Sequence, residues 1–147
     1  MSVPHIQNRR ARHDYHIEEQ LEAGIMLQGW EVKSFFAGQV SLAEGFARLD
    51  GGEIWLFGVT FTPLSTTATH VATVPLRPRK LLLHRQQIDR WIELTERKGH
   101  TVVPLDMHLA KGKIKVGLGL ARGKQKHDKR ADAKEKDIRR ELRQAHL

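Results

Sequence analysis

The 147-residue chain contains no cysteine. That excludes a disulfide framework, a thiolate nucleophile and a cysteine-ligated zinc. No apolar run approaches the ~18 residues of a membrane span. Residues 1–12 are polar and basic with no apolar segment behind them, so they do not read as a secretory signal. These absences predict a cytoplasmic protein with no membrane partner. Low-complexity tracts and internal repeats are also absent, and the length is that of one ordinary domain with a tail.

The signatures of catalysis are missing as well. There is no G-x-S-x-G nucleophile elbow. Gly117-x-Gly119 with Gly123-Lys124 fits neither the dinucleotide-binding nor the P-loop spacing, and Gln125 stands where a P-loop needs a hydroxyl. Gly51-Gly52-Glu53 lacks the glutamine of the Gly-Gly-Gln that peptidyl-tRNA-hydrolysing factors carry. His13-x-x-His16 has no further ligand cluster beside it, and a strand would put the two on opposite faces. The reading is a protein that is not an enzyme and needs no cofactor and no metal.

Charge, by contrast, is concentrated. Residues 1–110 hold 12 basic and 12 acidic side chains and are neutral, whereas residues 111–147 hold 13 basic and 5 acidic. The whole excess of +8 therefore lies in the last quarter. A neutral body with a cationic appendage points to nucleic acid or an anionic surface as partner. The appendage lacks the wide apolar face of an interfacial helix, which leaves nucleic acid.

The body alternates between short apolar runs and turns. Residues 1–12 read as a short arm. Tyr15-x-Ile17 and Ile25-x-Leu27 fit half-buried strands, with Ala23-Gly24 as a bend or bulge. Gly29 to Ala37 has helical spacing and Gly38 is a natural stop. Phe46–Leu49 and Ile54–Phe57 flank Asp50-Gly51-Gly52-Glu53, a hairpin signal. Residues 62–78 are rich in Thr and Pro and form a loop. Leu81 to Leu83 begins the next ordered piece. Ile88, Trp91, Ile92 and Thr95 mark an amphipathic helix ending near Gly99. Thr101–Leu105 and Ile114–Leu120 are strands around a Lys111-Gly112 turn, and Gly117 and Gly119 mark a bend or a close backbone approach. About six short strands and one or two helices predict a mainly β fold. Its form is a small antiparallel barrel of the oligonucleotide-binding type, over residues 1–122.

Residues 123–147 form the basic tail. Ile138, Leu142 and Ala145 make a stripe one residue wide, Asp128 can cap, and Asp132–Lys136 and Glu135–Arg139 are acid-before-base pairs. Such a segment is marginal as an isolated helix. The expectation is disorder when free and a helix when bound.

Two clusters offer contacts to RNA. Asn8-Arg9-Arg10-Ala11-Arg12-His13-Asp14-Tyr15 interleaves donors with an aromatic, and Arg77-Pro78-Arg79-Lys80 adds a second basic group. Arg10, Arg12, Arg77, Arg79 and Lys80 suit phosphates, and Tyr15 suits stacking. Read alone, Glu22 is an ordinary exposed acid. A generic RNA-binding or ribosome-associated protein fits these features, and a ribosome-rescue hydrolase fits less well.

Five motifs occur in a set order: Asn8 to Tyr15; Glu22-Ala23-Gly24-Ile25; Leu27-Gln28-Gly29-Trp30-Glu31-Val32-Lys33-Ser34; Arg79-Lys80-Leu81-Leu82-Leu83; and Ala121-Arg122-Gly123-Lys124 through His127-Asp128-Lys129-Arg130. With them, about residues 8–140 resemble the SsrA-binding protein (small protein B) family. The resemblance implies an oligonucleotide-binding barrel that holds the tRNA-like domain of transfer-messenger RNA in place of an anticodon arm. It ties Asn8, Tyr15, Glu22 and Leu82 to RNA binding, and Lys33 joins them from the third motif. It implies that the tail, with Gly123, Lys124, His127, Asp128, Lys129 and Arg130 as matching positions, engages the ribosome's decoding centre and empty messenger channel. Elongation factor Tu and alanyl-tRNA synthetase would be met only through the shared RNA, by a monomer. Phe35-Phe36, Val74, His108-Leu109 and Gln125 depart from the family's usual residues.

Overall fold

Alternating apolar and polar residues in this chain are used mainly in strands. The computed structural model describes residues 3–67 and 70–123. In chain order these form β1 (Ile6–Gln7), α1 (Arg9–Asp14), β2 (Tyr15–Ile25), α2 (Gly29–Phe36), β3 (Val40–Ser41), β4 (Phe46–Asp50), β5 (Glu53–Phe57), β6 (Thr60–Phe61), β7 (Arg79–Leu82), α3 (Arg85–Lys98), β8 (Thr101–Ala110) and β9 (Lys113–Gly123).

Strands β8, β4, β5, β7, β2 and β9 pair in that order, all antiparallel, and β9 returns to pair with β8. Six strands thus close on themselves, the mainly β barrel that the patterning predicts. β1 pairs with β8 at Asp106 and Met107, and β3 with β6 makes a separate two-stranded ladder. The β4–β5 hairpin turns through Gly51 and Gly52 at φ 61° and 78°, where a side chain would be strained.

Inside the ring, Ile54, Leu56, Leu81, Val102, Met107, Val116, Leu118 and Leu120 are buried. Trp91 of α3 and Phe35 of α2 are fully buried in the same cluster. A second cluster, Ala11, Tyr15, Val103, Leu105 and Ala121, lies beneath α1.

Two bulges create this division. In β2 the register slips between Ile17 and Glu19. Tyr15 and Ile17 join the second cluster, whereas Leu21 and Ala23 join the first. A strand of strict period two would put all four on one face. The expected bend at Ala23-Gly24 is therefore five residues too late, because the ladder and not the glycine sets where the strand changes face. In β8 the register slips between Pro104 and Asp106. Proline has no N–H for the ladder, so an irregularity there is the natural accommodation.

Two other expectations change. The arm of residues 1–12 is ordered from Ile6 as β1 and α1. Asn8 caps α1: its Oδ1 accepts from the Ala11 amide at 3.1 Å, and its Nδ2 donates to the carbonyls of Leu42 at 3.1 Å and Pro104 at 2.8 Å. Strands β2, β8 and β9 have 11, 10 and 11 residues rather than a handful. β9 runs to Gly123, the last of the described residues. The tail from Lys124 onward, with its expected disorder and its binding-induced helix, lies outside the described residues.

Candidate nucleic-acid interface

The third and fourth motifs meet at one buried carboxylate. Glu31 is inaccessible on α2, and its Oε1 accepts from Arg77 Nη2 at 2.5 Å and from the Gln28 amide at 2.6 Å. Its Oε2 accepts from Arg79 Nε at 2.7 Å. Burial opposes ionisation of Glu31, but hydrogen bonds from Arg77, Gln28 and Arg79 outweigh it and hold the carboxyl below its usual range. Arg79, 1% exposed, also donates to the carbonyls of Val59 at 2.9 Å and Pro75 at 3.0 Å and lies 4.3 Å over the Phe61 ring. The basic cluster read as an RNA contact is thus divided. Arg79 is enclosed and fastens the residue 62–78 loop to the barrel, because its place on β7 alternates inward. Arg77 is partly exposed with its guanidinium on Glu31, and Lys80 faces outward within 3.4 Å of Glu53.

The first motif is divided in the same way. Asn8 and Tyr15 are buried, Asn8 as the cap and Tyr15 against Ala121 and Leu105 beneath α1. Arg10 is half-exposed and pairs with Glu44 at 2.5 Å, and Arg12 is exposed in the last turn of α1. Lys33 is exposed on α2.

An open cleft of about 640 Å³ lies where β2, α2, the β7–α3 junction and the β8–β9 turn converge. Of the sequence-derived residues it holds Glu22 and Leu82. Leu82 is 49% exposed because Arg79 and Leu81 take the inward positions of the short strand β7. Across it, Gly24 is in register with Leu82 on one side and Lys115 on the other. A Cβ at Gly24 would stand 3.3 Å from Leu82 Cβ and 3.7 Å from Lys115 Nζ. Leucine, open backbone and lysine thus form a row across three strands, with Phe36, 48% exposed, on a neighbouring wall. Exposed apolar side chains gathered in one concavity mark a binding surface.

Glu22, half-exposed, accepts at 2.7 Å from His108 Nε2, and His108 Nδ1 lies 2.9 Å from Asp106 Oδ2. Burial lowers the His108 pKa, but the Glu22 hydrogen bond and the Asp106 charge together raise it above the usual value. Near the last residues of β9, Glu18 on β2 bonds His100 and, at 2.5 Å, Arg122. Its carboxyl is held below the usual range first by the His100 hydrogen bond and then, against some desolvation, by the Arg122 charge.

Sequence reasoning passed over Lys115, Gly24 as a spacer, His108 and Glu31. Lys115 had a usable signal, since Lys113-x-Lys115 continues the outward face of a cleanly alternating strand. Glu31 had none, because an acid on a short helix gives no sign of the two arginines that enclose it from 46 and 48 residues away. Lys124, His127, Asp128, Lys129 and Arg130 lie outside the described residues, and Gly123 ends β9 opposite Tyr15.

Comparison with known proteins supplies the context. The family model described as SmpB protein matches residues 5–146. An SsrA-binding protein of Alkalilimnicola ehrlichii is 54% identical over 134 residues, 91% of this chain and 84% of that protein. Its counterpart in Dechloromonas aromatica is 49% identical over 138 residues, covering 94% and 93%. A solved chain described as "tmRNA-SmpB: a journey to the center of the bacterial ribosome" superposes with a TM-score of 0.71 at 45% identity, covering 95% of this chain and 98% of that one.

Proposed function

Because the chain belongs to the SmpB protein family, we propose that it binds the tRNA-like domain of transfer-messenger RNA and delivers that RNA to stalled ribosomes. There it serves trans-translation, the rescue of the ribosome and the tagging of its nascent peptide.

The observation that carries the binding half is the Leu82–Gly24–Lys115 row with Glu22 beside it. A folded body of residues 1–123, with 16 basic and 12 acidic side chains, has too small a net charge to hold RNA by charge alone. It needs placed contacts: an apolar side chain for a base or ribose, an ammonium for a phosphate, and a carboxylate for a donor such as a 2′-hydroxyl or a base amine. The cleft brings these three types together. Arg12 and Lys33 add exposed cations for the backbone, and Arg10 and Lys80 lie outward beside acids. Asn8, Tyr15, Arg77 and Arg79 serve by positioning: the first two set α1 on the barrel, and the arginines fix the loop that precedes β7.

The tail has the second half. Nine basic side chains among residues 124–147 would neutralise phosphates in an RNA-lined channel and release counterions, so the affinity falls with salt. A messenger still in the channel leaves no room for the tail. Folding on binding then spends ordering entropy only on a ribosome whose channel is empty. Gly123, Lys124 and His127 through Arg130 are the residues assigned to this step. Elongation factor Tu and alanyl-tRNA synthetase are reached through the RNA, by a cytoplasmic monomer with no catalytic step of its own.

A chain ending at Gly123 should keep RNA binding and lose tagging on ribosomes without downstream messenger. Tagging retained by that chain would overturn the tail assignment. Competition of labelled tRNA-like domain against bulk tRNA should show strong preference for the former. Equal competition would leave a generic RNA-binding protein, and peptide release by the purified chain alone would leave a hydrolase.

A further inference from the structure

A second arrangement, built on the barrel's outer surface, concerns metal rather than RNA. β1 pairs antiparallel with β8 so that Ile6 meets Met107 and Gln7 meets Asp106. His5 is thereby brought opposite His108, with ring centroids 5.8 Å apart and the rings edge to face. Asp106 and His108 share one face of β8, two residues apart. His5 Nε2 lies 2.7 Å, and His108 Nδ1 2.9 Å, from the same oxygen, Asp106 Oδ2.

The fold makes room for this carboxylate. The β8 bulge turns Asp106 over Gly117 of β9, and a Cβ at Gly117 would stand 2.0 Å from Asp106 Oδ1. Any other residue at 117 would expel it.

Between Glu22 and Asp106 a protonated His108 donates from both ring nitrogens, and a metal ion can take the place of the proton on Nδ1. His108 Nε2 donates to Glu22 Oε1 at 2.7 Å. A neutral imidazole that donates from Nε2 has a lone pair at Nδ1. That lone pair faces Asp106 Oδ2, which also has only lone pairs. A carboxylate behind the far nitrogen of a histidine is the usual outer partner of a metal-ligating imidazole, since it fixes the tautomer and the ring.

We propose that His5 Nε2, His108 Nδ1 and Asp106 Oδ2 form a binding site for a divalent transition ion, zinc by its donor set. Two imidazoles and a carboxylate suit zinc and leave further positions open to water. The three donor atoms lie within 4.8 Å of one another. Donors around a tetrahedral zinc are about 3.3 Å apart, so the two short spacings open by about half an ångström, within side-chain reach. The bound ion holds His108 neutral with its Nε2–H on Glu22, which fixes the Glu22 carboxylate at the rim of the cleft. That consequence for RNA rests on the reading under Proposed function, whereas the site itself does not.

Equilibrium dialysis of the full chain against zinc chloride tests it. The chain has nine histidines, so the readout is the difference from His5→Ala, which removes a half-exposed ring without touching the core. Wild type should take up one more ion per chain than His5→Ala and than His108→Gln. Glu22→Ala should weaken that uptake about ten- to a hundredfold, as loss of an outer partner does. Equal uptake by wild type and both histidine variants overturns the site and leaves the histidines as proton-sharing partners of Asp106. Zinc should also raise the affinity of wild type, but not of His5→Ala, for the tRNA-like domain. A zinc-independent affinity overturns the coupling to Glu22, and absence of binding with or without zinc overturns the RNA reading instead.

Discussion

Around Glu31 the protein closes, and around Glu22 it stays open. Glu31 is inaccessible, and its two oxygens are occupied by Arg77, Arg79 and a backbone amide. Glu22 is half-exposed at the rim of a cleft, with a single histidine on one oxygen. Both acids lie in short motifs with basic residues nearby or in the next motif. The difference follows from the direction of the side chain at each position. Arg79 occupies an inward position of β7 and must bring an anion in with it, because an unpaired guanidinium in the barrel wall would lose its hydration for nothing. Glu22 occupies an outward position of β2, where water solvates it until a partner arrives. A basic cluster that reads as an RNA contact can therefore be the closure of the barrel, while a leucine can stand exposed at the rim of a cleft.

The comparison is broken most directly at Glu31. Glu31→Ala leaves the enclosed Arg79 uncompensated and should cost about 3–5 kcal/mol in urea unfolding. A loss below ~1 kcal/mol would mean that the pair is not closed. Acid should act on the same carboxylate. The folded-state pKa of Glu31 lies below the ordinary 4.5. Its contribution is therefore complete above pH ~4.5 and is lost as pH falls through the lower folded value. Thermal melts from pH 6 downward should show this decline, and Glu31→Gln should flatten it.

At the open side the signs reverse. Leu82→Ala should leave the unfolding midpoint within ~0.5 kcal/mol of wild type. Affinity for the tRNA-like domain should fall by about 1–2 kcal/mol, roughly tenfold, in a filter-binding or anisotropy titration. An unchanged affinity would remove the cleft from the interface. The smallest effect belongs to Lys115→Ala. The salt dependence of binding should lose about one ion from its slope, with little change in fold stability.

Much of the barrel was legible in the chain. The Asp50–Glu53 hairpin, α2 ending ahead of Gly38, α3 ending ahead of Gly99 and the Lys111-Gly112 turn each rest on local conformational preference, and each is found. The strand ends and the face changes were not legible. They depend on ladder slips at Ile17–Glu19 and Pro104–Asp106, which only neighbouring strands define. The ordered β1 and α1 were missed because two-residue strands and a six-residue helix have no periodic signal of their own. Asn8 had the chemistry of a cap from the start, but its other two partners, the carbonyls of Leu42 and Pro104, come from distant loops and strands. At the cleft, Glu22 and Leu82 were reached through the resemblance of motifs and not through periodicity.

Patterning in the chain was enough to determine a mainly β body, its turns, the placement of the charge excess after residue 110 and membership of a family. These depend on composition and on contacts between residues close in sequence. Which arginine is enclosed, which leucine is offered to a partner and which histidines meet an aspartate 101 and two residues away were decided by the tertiary structure. Closing six strands into a ring assigns every side chain an inside or an outside, and two bulges reverse that assignment partway along the strands that build the site.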